Sequence, residues 1–369
     1  MSDPAIAVSG SDQAEIAAIL LEQAERIFTR YVTAACLQAA DEGRFPSDAW
    51  EAVLSAGLTL ALVPEASGGG GVDGAVAGQL IRRSAYHAIP APFADTLMAQ
   101  ALWTMAGGEP FEGSAGLVAE PAIRLGGKSR GRAVSGEVRQ AAWGADVDHL
   151  LLLTSVDGSD CLVLLPRADR VAVSRRNVAN EPRVSFTLED EPIADTAIRP
   201  LPGNLACRHG LGVFGAFVRA QQMTGAMERC LDLALVYANE RKQFGKPIGR
   251  FQAVQHMLAE AAGQWAAAAA AAELAAAAFG NEAFPLAAAV AKARCGEAAG
   301  KVAEVCHQVH GAMGFTHEHA LHFFTRRLWA WRDEFGREAF WQERIGRIVC
   351  EQGGEALWPR LVALREAGL

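Results

Sequence analysis

Residues 237–260 read YANERKQFGKPIGRFQAVQHMLAE. They hold a knot of basic and aromatic residues between two runs of helical periodicity. Leu211 to Glu240 can form one long helix and Phe251 to Phe279 another, because apolar residues recur at three- and four-residue spacing and share a face. Gly245, Pro247 and Gly249 punctuate the interval, so the stretch predicts an antiparallel helical hairpin with the knot at its tip. A tip carrying Arg241, Lys242, Lys246 and Arg250 is electropositive, and arginine presents a rigid fork of donors suited to phosphate oxygens. Phe244 beside it offers a face to an aromatic ring. The simpler alternative is a solvated charged turn with Phe244 tucked into the core.

Outward from the hairpin the texture changes twice. From Asp12 to about Gly107 the pattern is helical, with Ser47 a candidate N-cap and Gly57 a terminator of the run PSDAWEAVLSAG. Gly68 to Gly71 are a turn or a place where backbone approaches a ligand, the turn being the more ordinary reading. From about Gly113 to Pro202 the short apolar or alternating runs DHLLLLTSV, DCLVLLP, RVAVSRR and RVSFTLED are separated by turn residues, which predicts strands. After Gly203 the helical period returns. The expected organisation is an α+β multidomain chain: a helical domain over 1–112, a β domain over 113–202 and a helical domain over 203–369. No G-x-G-x-x-G sits between a strand and a helix, which argues against a Rossmann nucleotide site.

Composition narrows the partners. With 34 basic against 42 acidic residues the net charge is −8, which speaks against a nucleic-acid binder or a polybasic membrane protein and favours a small ligand. The seven cysteines are scattered without a C-x-x-C, so reduced thiols in a cytoplasmic protein are expected. The start MSDPAIAVSG is acidic and polar, unlike a secretory leader. The alanine run from Trp265 to Phe279 is too short and too weakly apolar for a membrane span.

Tyr237-x-x-x-Arg241-x-Gln243-Phe244-Gly245-Lys246-Pro247-Ile248, followed by Phe251-Gln252-Ala253 and Leu258-Ala259-Glu260, resembles the C-terminal signature of the acyl-CoA dehydrogenase family. QVHGAMGFTHEHALHFFTRR resembles its Q-x-x-G-G-x-G-[FY] stretch through Gln308, Gly311, Gly314 and Phe315, and AGLTLALVPEASGGGG resembles an N-terminal element of the family. The resemblance implies an N-terminal helical domain, a middle β-barrel-like domain and a C-terminal four-helix bundle, with FAD bound in a homo- or hetero-oligomer such as a homotetramer. It implies that Arg241, Gln243 and Phe244 reach the FAD of a neighbouring subunit, and that Gln308, Gly311 and Gly314 meet its adenine and phosphate portion. It also implies an acyl-CoA substrate, fatty-acid or sterol catabolism, electrons passed to an electron-transfer flavoprotein, and a flavin ring between the β domain and the C-terminal helices.

The chemistry of the family needs a carboxylate that removes the α-proton of the thioester while the β-hydrogen leaves as hydride. The usual base belongs to an E-G-T segment. Ungapped counting from Gln308 puts Phe335, Gly336 and Arg337 there, so strict register supplies no base. A one-residue shift offers Glu334, with Asp333 beside it, and these are the expected catalytic residues; two exposed carboxylates near Arg332 and Arg337 are the equal alternative. An alternative base position early in the preceding long helix falls at Gly215 or its neighbours, again without a carboxylate, and Glu228 further along reads as structural. After GLVAEP the family's G-S-D is absent, and Trp143 reads as core or as a flavin neighbour. These departures resemble a divergent branch acting on bulky thioesters, sometimes as α2β2 assemblies in which one subunit is catalytically incomplete.

Three rivals remain. His307, His310, His317, His319 and His322 fall within sixteen residues, but Glu304-x-x-His307 has no second copy to complete a di-iron bundle, and His317 to His322 read better as a helix start capped by Thr316. A scaffold that keeps flavin for structure alone, and an oxidase or monooxygenase with oxygen-reactive flavin, are the others.

Overall fold

The computed structural model describes residues 10–366, apart from 119–121, 127–131, 145, 157–158, 169, 171 and 204–209. Five helices come first: α1 (Gly10–Tyr31), α2 (Ala34–Asp41), α3 (Ser47–Ser55), α4 (Gly74–Tyr86) and α5 (Phe93–Met105). Gly57 has φ 66 and stops the chain after α3 as expected, whereas Ser47 is the first helical residue and Pro46 takes the cap position. The glycine-rich loop folds back on its own turn. A Cβ on Gly69 would lie 2.1 Å from the Val63 carbonyl oxygen, and the Gly70 and Gly71 N–H groups donate to Leu60 O and Val63 O. Those donors are thereby used within the protein, which settles the reading as a turn.

Eight strands follow: β1 (Ala115–Leu117), β2 (Ala122–Gly126), β3 (Arg132–Ala142), β4 (His149–Val156), β5 (Ser159–Pro166), β6 (Ala172–Arg176), β7 (Pro182–Ile193) and β8 (Ile198–Pro200). They form two four-stranded sheets, ordered β1-β4-β5-β8 and β2-β3-β7-β6, antiparallel except for the β1–β4 pair. Val134, Val138, Leu150, Leu152, Val163, Leu165 and Val184 fill the space between the sheets, and Trp143 is buried with them. The continuous leucine run of β4 has a physical reason. Alternate residues point to opposite faces, so Leu150 and Leu152 enter this inner core while Leu151 packs with the helices. The expected Glu120 and Pro121 of GLVAEP lie outside the described residues.

The long hairpin read from the sequence is present. Helix α6 (Leu211–Glu240) ends at a two-stranded ribbon, β9 (Lys242–Gln243) and β10 (Lys246–Pro247), and α7 (Gln252–Ala277) returns. Then come α8 (Phe284–His310), α9 (Leu321–Asp333), α10 (Glu338–Gln352) and α11 (Leu357–Glu366). Helices α6 to α9 pack as a bundle and α10 lies on α8. Alanines make this possible: Ala268, Ala272 and Ala275 of α7 and Ala287, Ala291 and Ala298 of α8 are fully or almost fully buried, and small side chains let the helix backbones approach. Helix α4 touches α6 through a glycine, since a Cβ on Gly225 would meet Arg82 O at 2.0 Å. The predicted cap at Thr316 is displaced: α9 starts at Leu321, and the Thr316 hydroxyl donates to Met313 O instead. Cys36, Cys161, Cys230, Cys295, Cys306 and Cys350 are free, and Cys207 lies outside the described residues. No described helix is long and apolar enough to cross a membrane.

Candidate functional site

The residues singled out from the sequence gather at the two ends of α6. At about 1.5 Å per residue, Arg219 and Arg241 are roughly 33 Å apart along this helix.

At the C-terminal end, Arg241 N–H donates to Tyr237 O and Arg241 O accepts from Ile248 N–H, which closes the ribbon against the helix. Phe244 and Gly245 form the reversal with φ 50 and 79, the left-handed pair that a tight two-residue hairpin requires. The geometry decides where the aromatic goes: Phe244 is 91% exposed, not tucked into the core. Arg241, Lys242, Gln243, Lys246 and Arg250 are exposed around it. Gln308 is exposed in the last turn of α8, next to the glycine turn 311–315, where Gly311 has φ 59. Gly314 is buried, and a Cβ there would lie 2.9 Å from the His310 Cβ, so the turn sits directly on the histidine pair. The Tyr237 ring stacks on His310 at 4.6 Å, tying the ribbon to the glycine turn. Six separate sequence positions, Arg241, Gln243, Phe244, Gln308, Gly311 and Gly314, thus share one end of the bundle.

The histidines here are framework. His307 Nε2 bonds Thr325 Oγ1 at 3.0 Å and His310 Nδ1 bonds Cys306 O at 2.6 Å. Burial holds His307, His310 and His319 below the usual histidine range and pushes His322 down to about 4, so these rings are neutral at pH 7. Among the described residues no three metal-ligating side chains converge.

At the N-terminal end lies a buried ion network. Arg219 Nη1 and Nη2 hold Asp95 at 3.1 and 3.2 Å, and Arg219 Nε donates to Glu334 Oε2 at 2.7 Å. Arg183 of β7 bonds the other Glu334 oxygen and reaches Glu181 at 3.2 Å, and Arg327 of α9 reaches Glu181 at 3.3 Å. Three carboxylates face three guanidiniums and join α5, β7, α6 and α9. Burial alone would push Glu334 up, but Arg183 and Arg219 outweigh it and hold the carboxyl at about 2. A carboxylate so clamped has little affinity for a proton, so the geometry speaks against the expected base. Asp333 is exposed. Glu228 is paired with Arg82 at 2.9 Å, which agrees with its structural reading.

The two base positions counted from the sequence meet in space. The Phe335 ring lies against Gly215, where an added Cβ would come within 2.0 Å of Phe335 Cδ1. Neither brings a carboxylate. A cavity where α2, β6, β7 and α9 meet, lined by Phe45, Trp143, Asp146, Arg176, Glu181 and Arg327, measures about 40 Å³, far below the roughly 300 Å³ at which small-ligand pockets begin. The glycine turn and the cationic ribbon carry donors that fit the phosphate end of FAD.

Sequence reading missed Asp95, Arg183, Arg219 and Lys292. Their signal is a lone charge on an apolar face, as in FADTLMAQ or GAFVRAQQM; its partner is a distant residue that no local pattern reveals.

A family model described as the acyl-CoA dehydrogenase C-terminal domain matches residues 214–347. The acyl-CoA dehydrogenase FadE34 of Mycobacterium tuberculosis is 31% identical over 321 residues, covering 82% of this chain and 43% of that protein. FadE27 of the same organism is 27% identical over 339 residues, covering 84% of this chain and 90% of its own length. The chain spans less than half the length of the first curated relatives it matches. Among solved structures, the ChsE4-ChsE5 complex from Mycobacterium tuberculosis superposes with a TM-score of 0.82 at 20% identity, covering 91% of this chain and 98% of that one. At that identity the likeness establishes the fold.

Proposed function

The chain belongs to the acyl-CoA dehydrogenase family, and from that premise we propose that it is a flavin-binding subunit of an oligomer that dehydrogenates acyl-CoA thioesters, in which its own base slot is closed. The observation that carries this reading is the split between the ends of α6. The phosphate-binding candidates, all exposed except the buried Gly314, lie together at one end, whereas both base positions at the other end are Phe335 and Gly215, in mutual contact.

Arg241 offers its guanidinium fork to the FAD pyrophosphate of a neighbouring chain. The Gly311–Gly314 turn lets backbone N–H groups approach the same anion, with Gln308 hydrogen-bonding beside it and Phe244 covering the adenosine end. Gln243 extends the polar edge of the ribbon. A distance of roughly 33 Å along α6 keeps this group away from the chain's own Phe335, which is why the cofactor contact is made in trans. FAD supplies the acceptor for the hydride leaving the thioester β-carbon, and electrons pass on to an electron-transfer flavoprotein. Glu334 in this reading is an anion that orients Arg183 and Arg219. The assembly with a base-bearing chain of the same fold is in keeping with the hetero-oligomeric ChsE4-ChsE5 neighbour.

The test is the visible spectrum of the purified chain reconstituted with FAD, before and after anaerobic addition of a panel of acyl-CoAs. Bound flavin that no thioester bleaches is the expected result. Bleaching by the chain alone would replace this reading with a self-sufficient dehydrogenase, and Glu334→Gln would then report whether that carboxylate is its base.

A further inference from the structure

The 334–336 loop stores backbone strain and uses buried donors to hold it. Phe335 has φ 53 and Gly336 φ 90, two successive left-handed residues of which only the glycine adopts the shape freely. Gly336 is confined as well, since a Cβ there would lie 2.6 Å from the Phe340 ring. The carbonyls of the loop have dedicated partners. Lys292 Nζ donates to Arg332 O and to Gly336 O, both at 2.7 Å, and Trp341 Nε1 donates to Phe335 O at 3.0 Å. Lys292 is fully buried on the otherwise small-residue face of α8. Burial lowers its pKa to about 8, so the amine is still protonated at neutral pH and both bonds are charge-assisted. A strained loop that its surroundings over-determine in this way points to a function for the strain.

The strain decides where one ring goes. Phe335 lies on the bare Cα of Gly215, and the Arg219 guanidinium, one turn further along α6, lies over the ring 5.2 Å from its centroid. The space between residues 215 and 335 is the space that a base at either position would have to face.

We propose that Phe335 is a plug that shuts the acyl slot of this chain, and that Lys292 is the positioning residue that keeps it seated. This rests on the flavin-subunit reading above and deepens it: the slot is closed by a side chain as well as lacking a base, and a single substitution opens it.

The test is calorimetric titration of the FAD-reconstituted protein with octanoyl-CoA, with visible absorbance reporting the FAD content of the same samples. Phe335→Ala should bind octanoyl-CoA at least roughly tenfold more tightly than the unaltered chain. Gly215→Ala, which keeps Phe335 but displaces its ring, should do the same. Lys292→Met should also gain binding while Lys292→Arg stays closed; a gain of saturable binding is not produced by loss of stability alone. Native FAD content with no gain of binding in Phe335→Ala and Gly215→Ala overturns the plug, as does tight binding by the unaltered chain. Absence of FAD from every sample overturns the flavin reading instead, and the calorimetric comparison still judges the plug.

Discussion

Arg219 and Arg241 stand on one helix and are used in opposite ways. Arg219 is 1% exposed and has its donors taken by Asp95, Glu334 and Gln222. Arg241 is exposed at a ribbon tip beside a solvent-facing aromatic ring. The difference teaches that residue type alone does not mark a ligand site. A guanidinium with buried carboxylates on several sides is part of the framework, and one held out on a rigid turn is available to a phosphate.

The comparison breaks most easily at Arg219. Arg219→Leu leaves Asp95 and Glu334 buried without their shared cation, and the expected loss is about 3–5 kcal/mol, read as a fall in the urea midpoint. A midpoint within error of the unaltered protein would show that the network contributes nothing. The same network gives an acid-labile term. Glu334 is held at about 2 in the fold against an unfolded value near 4.5, so its contribution is complete above about pH 4.5 and is lost as pH falls from there towards 2; the full term is ~3 kcal/mol. Asp95 works against it, because burial raises its pKa. Urea midpoints at successive pH values should therefore fall below pH 4.5, and Glu334→Gln should flatten that slope.

The exposed end should respond in binding and not in stability. Arg241→Ala removes a charge-assisted contact of about 1.5–3 kcal/mol, so FAD affinity should drop by roughly 10- to 100-fold with the urea midpoint unchanged. Unaltered FAD retention would remove Arg241 from the phosphate site. Phe244→Ala should cost less, about 0.5–1.5 kcal/mol for one stacking ring, and equilibrium dialysis against FAD would resolve it from Arg241→Ala. If the two ends respond alike, the division between framework and site is wrong.

Much of this was legible in the chain itself. Period and punctuation showed the order of helices, strands and helices, the 211–240 helix and its tip, because amphipathic repeats and glycine turns are local physics. Counting along the sequence also reached Phe335 and Gly215 as the two positions without a carboxylate. What no local pattern carried was that these residues touch, that Glu334 is clamped between arginines from β7 and α6, and that Lys292 grips a loop more than forty residues away. Those are long-range packing facts. A carboxylate has the same identity in water and between two buried guanidiniums, and only the tertiary structure fixes the dielectric, the partners and hence whether it is a base or a structural anion.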